Sequence, residues 1–419
     1  MRIFVFCLFL LLQLTAFTQR ECASHTYLQN VRSGSAVAEK ALADAEAFLQ
    51  HQSVASTAIR LNGASGEALI RIPVVVHVLY NTAAQNLSDA QIKSQMAALN
   101  RDFRRNNSDS ANTPAQFRSL AADVAIEFVL ATADPSGAPT TGIVRKQTHV
   151  SEWKSDDKIK FTTSGGDNAW DSRNYLNIWV GNMRSLLGYA SAPGSPADKD
   201  GIVINTNAFG TLNIAGPYNM GRTAVHEIGH WLGLKHTWGD TYCGDDGITD
   251  TPKQGNYTSG CPAGFRFSCN NSSAGDMYMN YMDFTNDACI NLFTHGQKER
   301  MRANFNYGGC RNALLTSKGL SAPWKASVYE EYAADKEVAT AQFSAYPNPA
   351  KAELNINIGQ DEAWIGKELQ IVSMSGTILL KQVITCKTQK INISKLPAGI
   401  YVLQGQTGSQ KLSQTFVKL

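Results

Sequence analysis

Apolar residues fall along this chain in four rhythms. The first is a solid run, Ile3 to Leu12, behind Met1-Arg2 and ahead of small and polar residues through Thr18. It is too short to span a bilayer, so residues 1–19 read as a cleaved signal peptide. The second is faint: from Gln19 the sequence is polar and Ala-rich, with a weak helical tendency around Val37 to Leu49. The third is strong. "ALIRIPVVVHVLY", Ala68 to Tyr80, is a β-rich run of the kind found in buried strands. After it, Ser88 is a plausible N-cap, and Ile92, Met96, Leu99 and Phe103 recur at helical spacing. "VAIEFVLA" and "YLNIWVGNM" are further strand candidates. Strand, helix, more strands and then a second helix near residue 223 predict a mixed α/β sheet domain. Ala263 to Gly309 is loop-rich, with a short helix expected over Gly296 to Phe305, and Ser317 to Gln342 reads as a linker or peripheral segment. The fourth rhythm is alternation: "ELNINI", "INISKL" and "IYVLQ", spaced by Gly, Asn and Pro turns, predict a small β-sandwich.

Length and composition fit that division. A chain of 419 residues suggests two or three units. Hydrophobic residues make up 43% and charged ones 17%, so the chain is globular rather than disordered. A net charge of +3 gives no concentrated basic face, so nucleic acid and anionic membranes are not expected partners. No later apolar run is long enough for a membrane helix. Of the eight cysteines, Cys7 goes with the signal peptide. Cys243, Cys261, Cys269 and Cys289 cluster, and in an oxidising compartment they read as two disulfides with three connectivities open. No C-x-x-C pair supports a structural zinc in their place. Cys22, Cys310 and Cys386 are left over.

The candidate chemistry sits in "TAVHEIGHWLGLKHTWG", Thr223 to Gly239. His226 and His230 are one helical turn apart and share a face, so they can hold one ion. Glu227 stands where its carboxylate can reach a water at that ion without ligating it. Gly233 lets the chain leave the helix, and His236 arrives as a third nitrogen donor. Three protein ligands leave a fourth position open, which marks a catalytic rather than a structural zinc. Three satisfied core histidines would explain neither the glutamate nor the glycine.

The pattern H-E-x-x-H-x-x-G-x-x-H resembles that of the metzincins, which carry a methionine turn beneath the zinc. "NYMDF", Asn280 to Phe284, resembles that turn, with Met282 as its methionine. "HEIGHWLGLKHTWGD", "GITDTP", "NYMDFTNDACINLFTHGQ" and "IPVVVHVLY" together resemble the pappalysin family of metzincins over roughly Leu61 to Cys310. The resemblance implies a secreted zinc endopeptidase, with disulfides Cys243–Cys269 and Cys261–Cys289. It also implies calcium in the loop after the zinc ligands, where Asp245, Asp246, Asp250 and Thr251 offer hard oxygens. Bacterial members favour arginine on the primed side of the cut bond, and Asp287 is the candidate acidic residue that reads it. Those members usually carry a tyrosine two residues after the turn methionine. Phe284 stands there instead, so either the enzyme is slow or Tyr281 or a backbone amide substitutes as the oxyanion donor.

Cys22, in "RECAS", resembles the Arg-x-Cys motif of bacterial pappalysin propeptides, in which a thiolate fills the open zinc position. This implies a latent zymogen with a pro-segment over residues 20–60 and a candidate activation bond at Arg60–Leu61. A disulfide of Cys22 with Cys310 is the plainer alternative. The expected catalytic domain is then 61–315 and the linker 316–342. "YPNPAKAELNI", "SMSGTILL" and "LPAGIYVLQ" resemble the type A sorting domain of the type IX secretion system over residues 343–419, which implies that export machinery as a partner and an extracellular or cell-surface location. Two rivals remain: an extracellular binding protein or adhesin that keeps an inactive protease fold, and a zinc hydrolase that is not a peptidase.

Overall fold

The computed structural model describes residues 22–60, 68–183, 185–271, 274–324, 344–358, 362–373, 376–407 and 410–419. The expected signal peptide, residue Leu61 of the expected activation bond, and most of the expected linker lie outside these. The chain divides into two compact units, 1–326 and 327–419.

The first unit opens with two helices, α1 (Ser24–Gly34) and α2 (Ala36–Arg60). The sequence shows only faint periodicity here, because sparse anchors hold the segment rather than a continuous apolar stripe. Tyr27, Leu42 and Leu49 are buried, and Glu46 pairs with Arg300 and, at 3.7 Å, with Lys235. Next comes β1 (Ile70–Tyr80), the centre of the main sheet. Its apolar run, interrupted by the exposed Arg71 and the buried His77, belongs to a strand covered on both faces. Along one edge it pairs in parallel with β2 (Ile126–Leu130) through its first half and with β3 (Ile143–Gln147) through its second. Along the other edge it pairs with β4 (Leu176–Gly181), which is followed in the sheet by β6 (Ile202–Asn205). The short β5 (Gly188–Ala190) closes that side and is antiparallel to β6.

Helix α3 (Asp89–Phe103) starts where Ser88 Oγ accepts the Gln91 N–H at 3.2 Å, and its Ile92, Leu99 and Phe103 are fully buried. A single turn, α4 (Ala115–Arg118), follows. The second long core helix, α5 (Arg222–Trp231), is buried at every position. Arg222 holds its amino end: Nε donates to Asp102 of α3 at 3.1 Å, and Nη1 and Nη2 donate to Asp109 at 2.6 and 2.8 Å. Burial opposes this charge, but the two aspartates outweigh it and hold the guanidinium above the ordinary arginine range. α6 (His295–Ala303) opens on a Thr294/Gln297 capping box.

The start of the expected linker is bonded to the first unit. Residues 316–324 pack on the first unit: Gly319 O accepts from Thr132 N at 2.8 Å, and Trp324 N donates to Gly137 O at 3.0 Å. Their polar composition hides backbone bonding that no periodicity reveals.

The second unit consists of two antiparallel sheets. One runs β10 (Ile378–Val383), β9 (Glu368–Ser373), β12 (Gly399–Thr407), β13 (Gln410–Lys418). The other runs β11 (Thr388–Asn392), β8 (Glu353–Asn357), β7 (Ser344–Tyr346). Leu354, Ile356, Leu369, Ile371, Leu403 and Phe416 form its core, from the inward positions of alternating strands. Among the described residues, no helix is long and apolar enough to cross a membrane.

Candidate active site

Helix α5 carries His226 and His230 on one face. The chain leaves it at Gly233, whose φ of 91° lies in the left-handed region that favours glycine. That turn brings His236 back to the other two rings. Each Nδ1 is held by an oxygen. His226 Nδ1 lies 2.7 Å from Tyr281 O, His230 Nδ1 lies 2.9 Å from Leu234 O, and His236 Nδ1 meets Asp240 Oδ1. Carbonyls and carboxylates only accept, so each Nδ1 carries the proton and each Nε2 is left with a bare lone pair. The Nε2 of His230 stands 3.1 Å from that of His226 and 3.1 Å from that of His236. Converging lone pairs repel one another unless a cation lies between them. Burial and the neighbouring His236 lower the His230 pKa to about 3, so protonation of the ring does not relieve the repulsion. Cys22 Sγ completes a set of four donor atoms lying within 4.8 Å of one another. Three imidazoles and a thiol suit zinc.

Glu227 is 1% exposed and points toward β5: a Cβ on Gly188 would lie 3.0 Å from Glu227 Cγ. Its Oε2 accepts from Ser24 Oγ at 2.7 Å and lies 3.6 Å from Cys22 Sγ. Ser24 in turn accepts from Ala190 N at 2.9 Å, and Ala23 N donates to Gly188 O at 3.1 Å. The N-terminal segment therefore occupies the edge of β5 and covers the glutamate together. Burial and the Glu227 charge push the Cys22 thiol up; a divalent cation beside it would act in the opposite sense.

Met282 is fully buried and packs against α5 at Gly229. A Cβ on Gly229 would come 2.4 Å from its Sδ, so only glycine admits the methionine that close to α5. The disulfides are Cys243–Cys269 and Cys261–Cys289, and Cys22, Cys310 and Cys386 are free. No Cys22–Cys310 bond is present.

Tyr281 does not take the role of the missing tyrosine. Its carbonyl serves His226, but its ring packs 4.8 Å from Phe293 and 5.6 Å from the Arg222 guanidinium, with the hydroxyl buried away from the site. Phe284 lies 4.9 Å from His236 and 5.7 Å from His226 and presents only a ring.

The four oxygen donors expected to hold calcium do not converge. Thr251 Oγ1 donates to Asp246 at 2.8 Å, and burial raises the Asp246 pKa to about 7. Asp250 instead accepts from Thr294 Oγ1 at 2.6 Å and Gly296 N at 2.8 Å, at the start of α6. Asp245 is exposed and accepts from Gly247 N at 2.7 Å. Asp287 is fully buried beside the start of α5, where its Oδ2 accepts from Met220 N at 2.9 Å and Arg222 N at 3.3 Å.

Sequence reasoning missed three participants. Ser24 is an unremarkable serine until folding brings it to Glu227. Trp238 stacks on His236 at 4.3 Å and 3°. Asp240 orients the same ring from the other side, and its pKa falls to about 2: burial works against its charge, but the bond from His236 wins. An acidic residue shortly after the third histidine is the signal that could have found it.

A family model described as "Pregnancy-associated plasma protein-A" matches residues 162–306, and one described as "Secretion system C-terminal sorting domain" matches residues 344–419. An "Extracellular metalloprotease" of Verticillium alfalfae is 32% identical, covering 57% of this chain and 78% of the relative. Another from Pyricularia oryzae is 31% identical, covering 65% and 88%. Among solved structures, mirolysin in complex with a small compound described as "compound 9" is 51% identical with a TM-score of 0.58, covering 59% of this chain and 97% of that one. A mutant of Tannerella forsythia promirolysin is 45% identical with a TM-score of 0.64, covering 71% and 97%.

Asp240→Asn keeps the shape of the side chain and removes the charge that fixes the His236 tautomer. Zinc affinity, measured by competition with a chelator, is expected to fall about 10–100-fold. Unchanged affinity would show that Asp240 is an ordinary surface-loop acid.

Proposed function

Because the chain belongs to the pappalysin family of metzincin metallopeptidases and is a secreted metalloendopeptidase, we propose that His226, His230 and His236 hold its zinc ion and that Glu227 moves the proton of hydrolysis. The observation that carries this assignment is the convergence of three Nε2 lone pairs, each Nδ1 being already used. Zinc, when bound, supplies a Lewis acid that polarises the scissile carbonyl and acidifies water. Glu227 takes the proton of the attacking water and returns it to the leaving amine. Once residues 22–24 leave it, the β5 edge beside Glu227 can take an extended substrate by main-chain hydrogen bonds. Met282 gives the imidazoles an apolar floor. Phe284 offers no oxyanion donor, so carbonyl polarisation falls to the metal and to backbone amides.

Residues 20–60 act as a pro-segment on this reading. Cys22 supplies a fourth ligand, Ser24 engages the base, and the backbone of residues 22–24 fills the β5 edge. All three elements of catalysis are blocked at once. Cleavage near Arg60–Leu61 would release the block. Export through the type IX secretion machinery fits the C-terminal sorting domain.

Arginine on the primed side of the cut bond is the proposed preference, read by Asp287. Its Oδ2 accepts from the Met220 and Arg222 backbone N–H groups, so the same carboxylate also holds the start of α5. For calcium, Asp245, Asp246 and Thr251 remain the proposed donors, without Asp250. The buried Asp246 carboxylate supports a cation there.

A peptide set differing only at the primed residue tests catalysis and preference together. Glu227→Gln is expected to lower kcat about 10²–10⁴-fold on every peptide, and turnover left intact would remove Glu227 as the base. Asp287→Asn is expected to flatten the arginine-to-leucine ratio, a readout that partial unfolding does not move; an unchanged ratio would reassign Asp287 to holding α5. Cys22→Ala should give more spontaneous activity in the precursor, and equal latency would remove the switch. Adding calcium to chelated protein should raise Tm and should not do so in Asp246→Asn; no rise in the unaltered protein would exclude calcium from this loop.

A further inference from the structure

Tyr27 enters the first unit as a ligand enters a receptor. It is 3% exposed. Its hydroxyl donates to Asp157 Oδ2 at 3.1 Å, and its ring lies 4.9 Å from that of Tyr189. Lys160 Nζ stands over the same ring, 5.0 Å from its centroid. Burial, then the Asp157 charge, pushes the phenol pKa well above its ordinary value, so the group stays protonated and donates.

The receiving residues hold one another without Tyr27. Lys160 Nζ pairs with Asp157 Oδ1 at 2.9 Å, donates to Lys199 O at 2.7 Å, and sits 4.9 and 5.4 Å from the ring centroids of Tyr189 and Trp179. Lys160, Tyr189 and Trp179 are all completely buried. Asp157 adopts φ 63°, a left-handed conformation that costs energy in a non-glycine residue. A cavity of about 660 Å³, bordered by Tyr27, Val31, Asp157 and Lys199, runs alongside.

Simple anchoring of a helix does not need this construction. A leucine in an apolar hole would hold α1 without desolvating a lysine and an aspartate, a cost that a buried ion pair often fails to recover. What the charged pair adds is discrimination. Asp157 Oδ2 accepts from the phenol and is otherwise faced by Lys199 Nζ at 3.4 Å, so a ring without the hydroxyl leaves that oxygen with its longer contact alone and is disfavoured. The place matters too. Tyr189 follows Gly188 directly in β5, and Gly188 lies against Glu227.

We propose that the Tyr27 pocket, formed by Asp157, Lys160, Trp179 and Tyr189, becomes a subsite for a tyrosine side chain of the polypeptide substrate once the N-terminal segment leaves. The proposal rests on the proteolytic reading above and on release of that segment. In the precursor, Tyr27 occupies the position that a substrate tyrosine takes later.

The test uses the full chain after activation by limited proteolysis, with peptides that share one arginine-containing cut site and place a single tyrosine at successive positions on either side. One position is expected to raise kcat/KM about tenfold, and replacing that tyrosine by phenylalanine should remove most of the gain. In Asp157→Asn, the ratio of rates on the tyrosine and phenylalanine peptides should fall to about one, a ratio independent of how much of the variant folds. A flat tyrosine scan on peptides that are nevertheless cut would overturn the subsite and leave the protease standing. A tyrosine gain equalled by phenylalanine would also overturn it, since the carboxylate would then have no role. Failure to cut any peptide would instead overturn the proteolytic reading beneath it.

Discussion

Three imidazoles aimed at one point are the constraint around which this structure is arranged. Each ring donates its Nδ1–H to a fixed oxygen acceptor, so the three Nε2 lone pairs face one another, with His230 Nε2 3.1 Å from each of the other two. That geometry is costly for a bare protein and favourable around a cation, so the surrounding fold has to impose it. The imposing parts can be named. Arg222 ties the start of α5 to Asp102 and Asp109. Arg300 Nε donates to Gly233 O at 2.7 Å, steadying the turn between the second and third histidines. Trp238 and Asp240 clamp His236 between a stacked ring and a carboxylate.

The stretch Asn280 to Phe284 is braced in the same way. Met282 N is held by Asn280 Oδ1 at 2.9 Å, and Asn280 exchanges hydrogen bonds with Gln297 of α6 at 2.9 and 3.0 Å. Asp283, fully buried and raised to about 7 by burial, accepts from Gln254, Thr258 and Phe284. The stretch Asn280 to Phe284 therefore supplies a buried methionine against α5, an acceptor for His226 and an anchor for the preceding segment at Gln254 and Thr258.

Much of this was legible in the sequence, for reasons that differ by element. β1 and α3 declare themselves through a solid apolar run and a capped 3.6-residue spacing, and both form within two residues of expectation. The histidine spacing is legible because a helix turn converts it directly into geometry. β5 is not, since three residues of "GYA" carry no period, yet it lines the cleft. α1 and α2 are held by a few long-range anchors such as Tyr27 and Glu46, which no local pattern encodes. Tyr281 shows the opposite hazard. Its place beside the turn methionine suggested a donor, but its side chain turns into the core toward Arg222, and only its backbone reaches the site. Asp250 is likewise drawn away from its acidic neighbours by the open N–H groups of α6, a competition visible only once the helix is in place.

The N-terminal segment binds the same features that a substrate would need: the open ligand position, the base, the β5 edge and the aromatic pocket behind it. On the proposed reading latency and recognition share one surface, and removing the segment would expose all of it together. X-ray absorption at the zinc edge tests this most directly, on the full chain and again after the segment is released. The expected result is three imidazole nitrogens in both states, with one sulfur near 2.3 Å in the full chain only. A first shell without three imidazoles, or without sulfur before release, would contradict it.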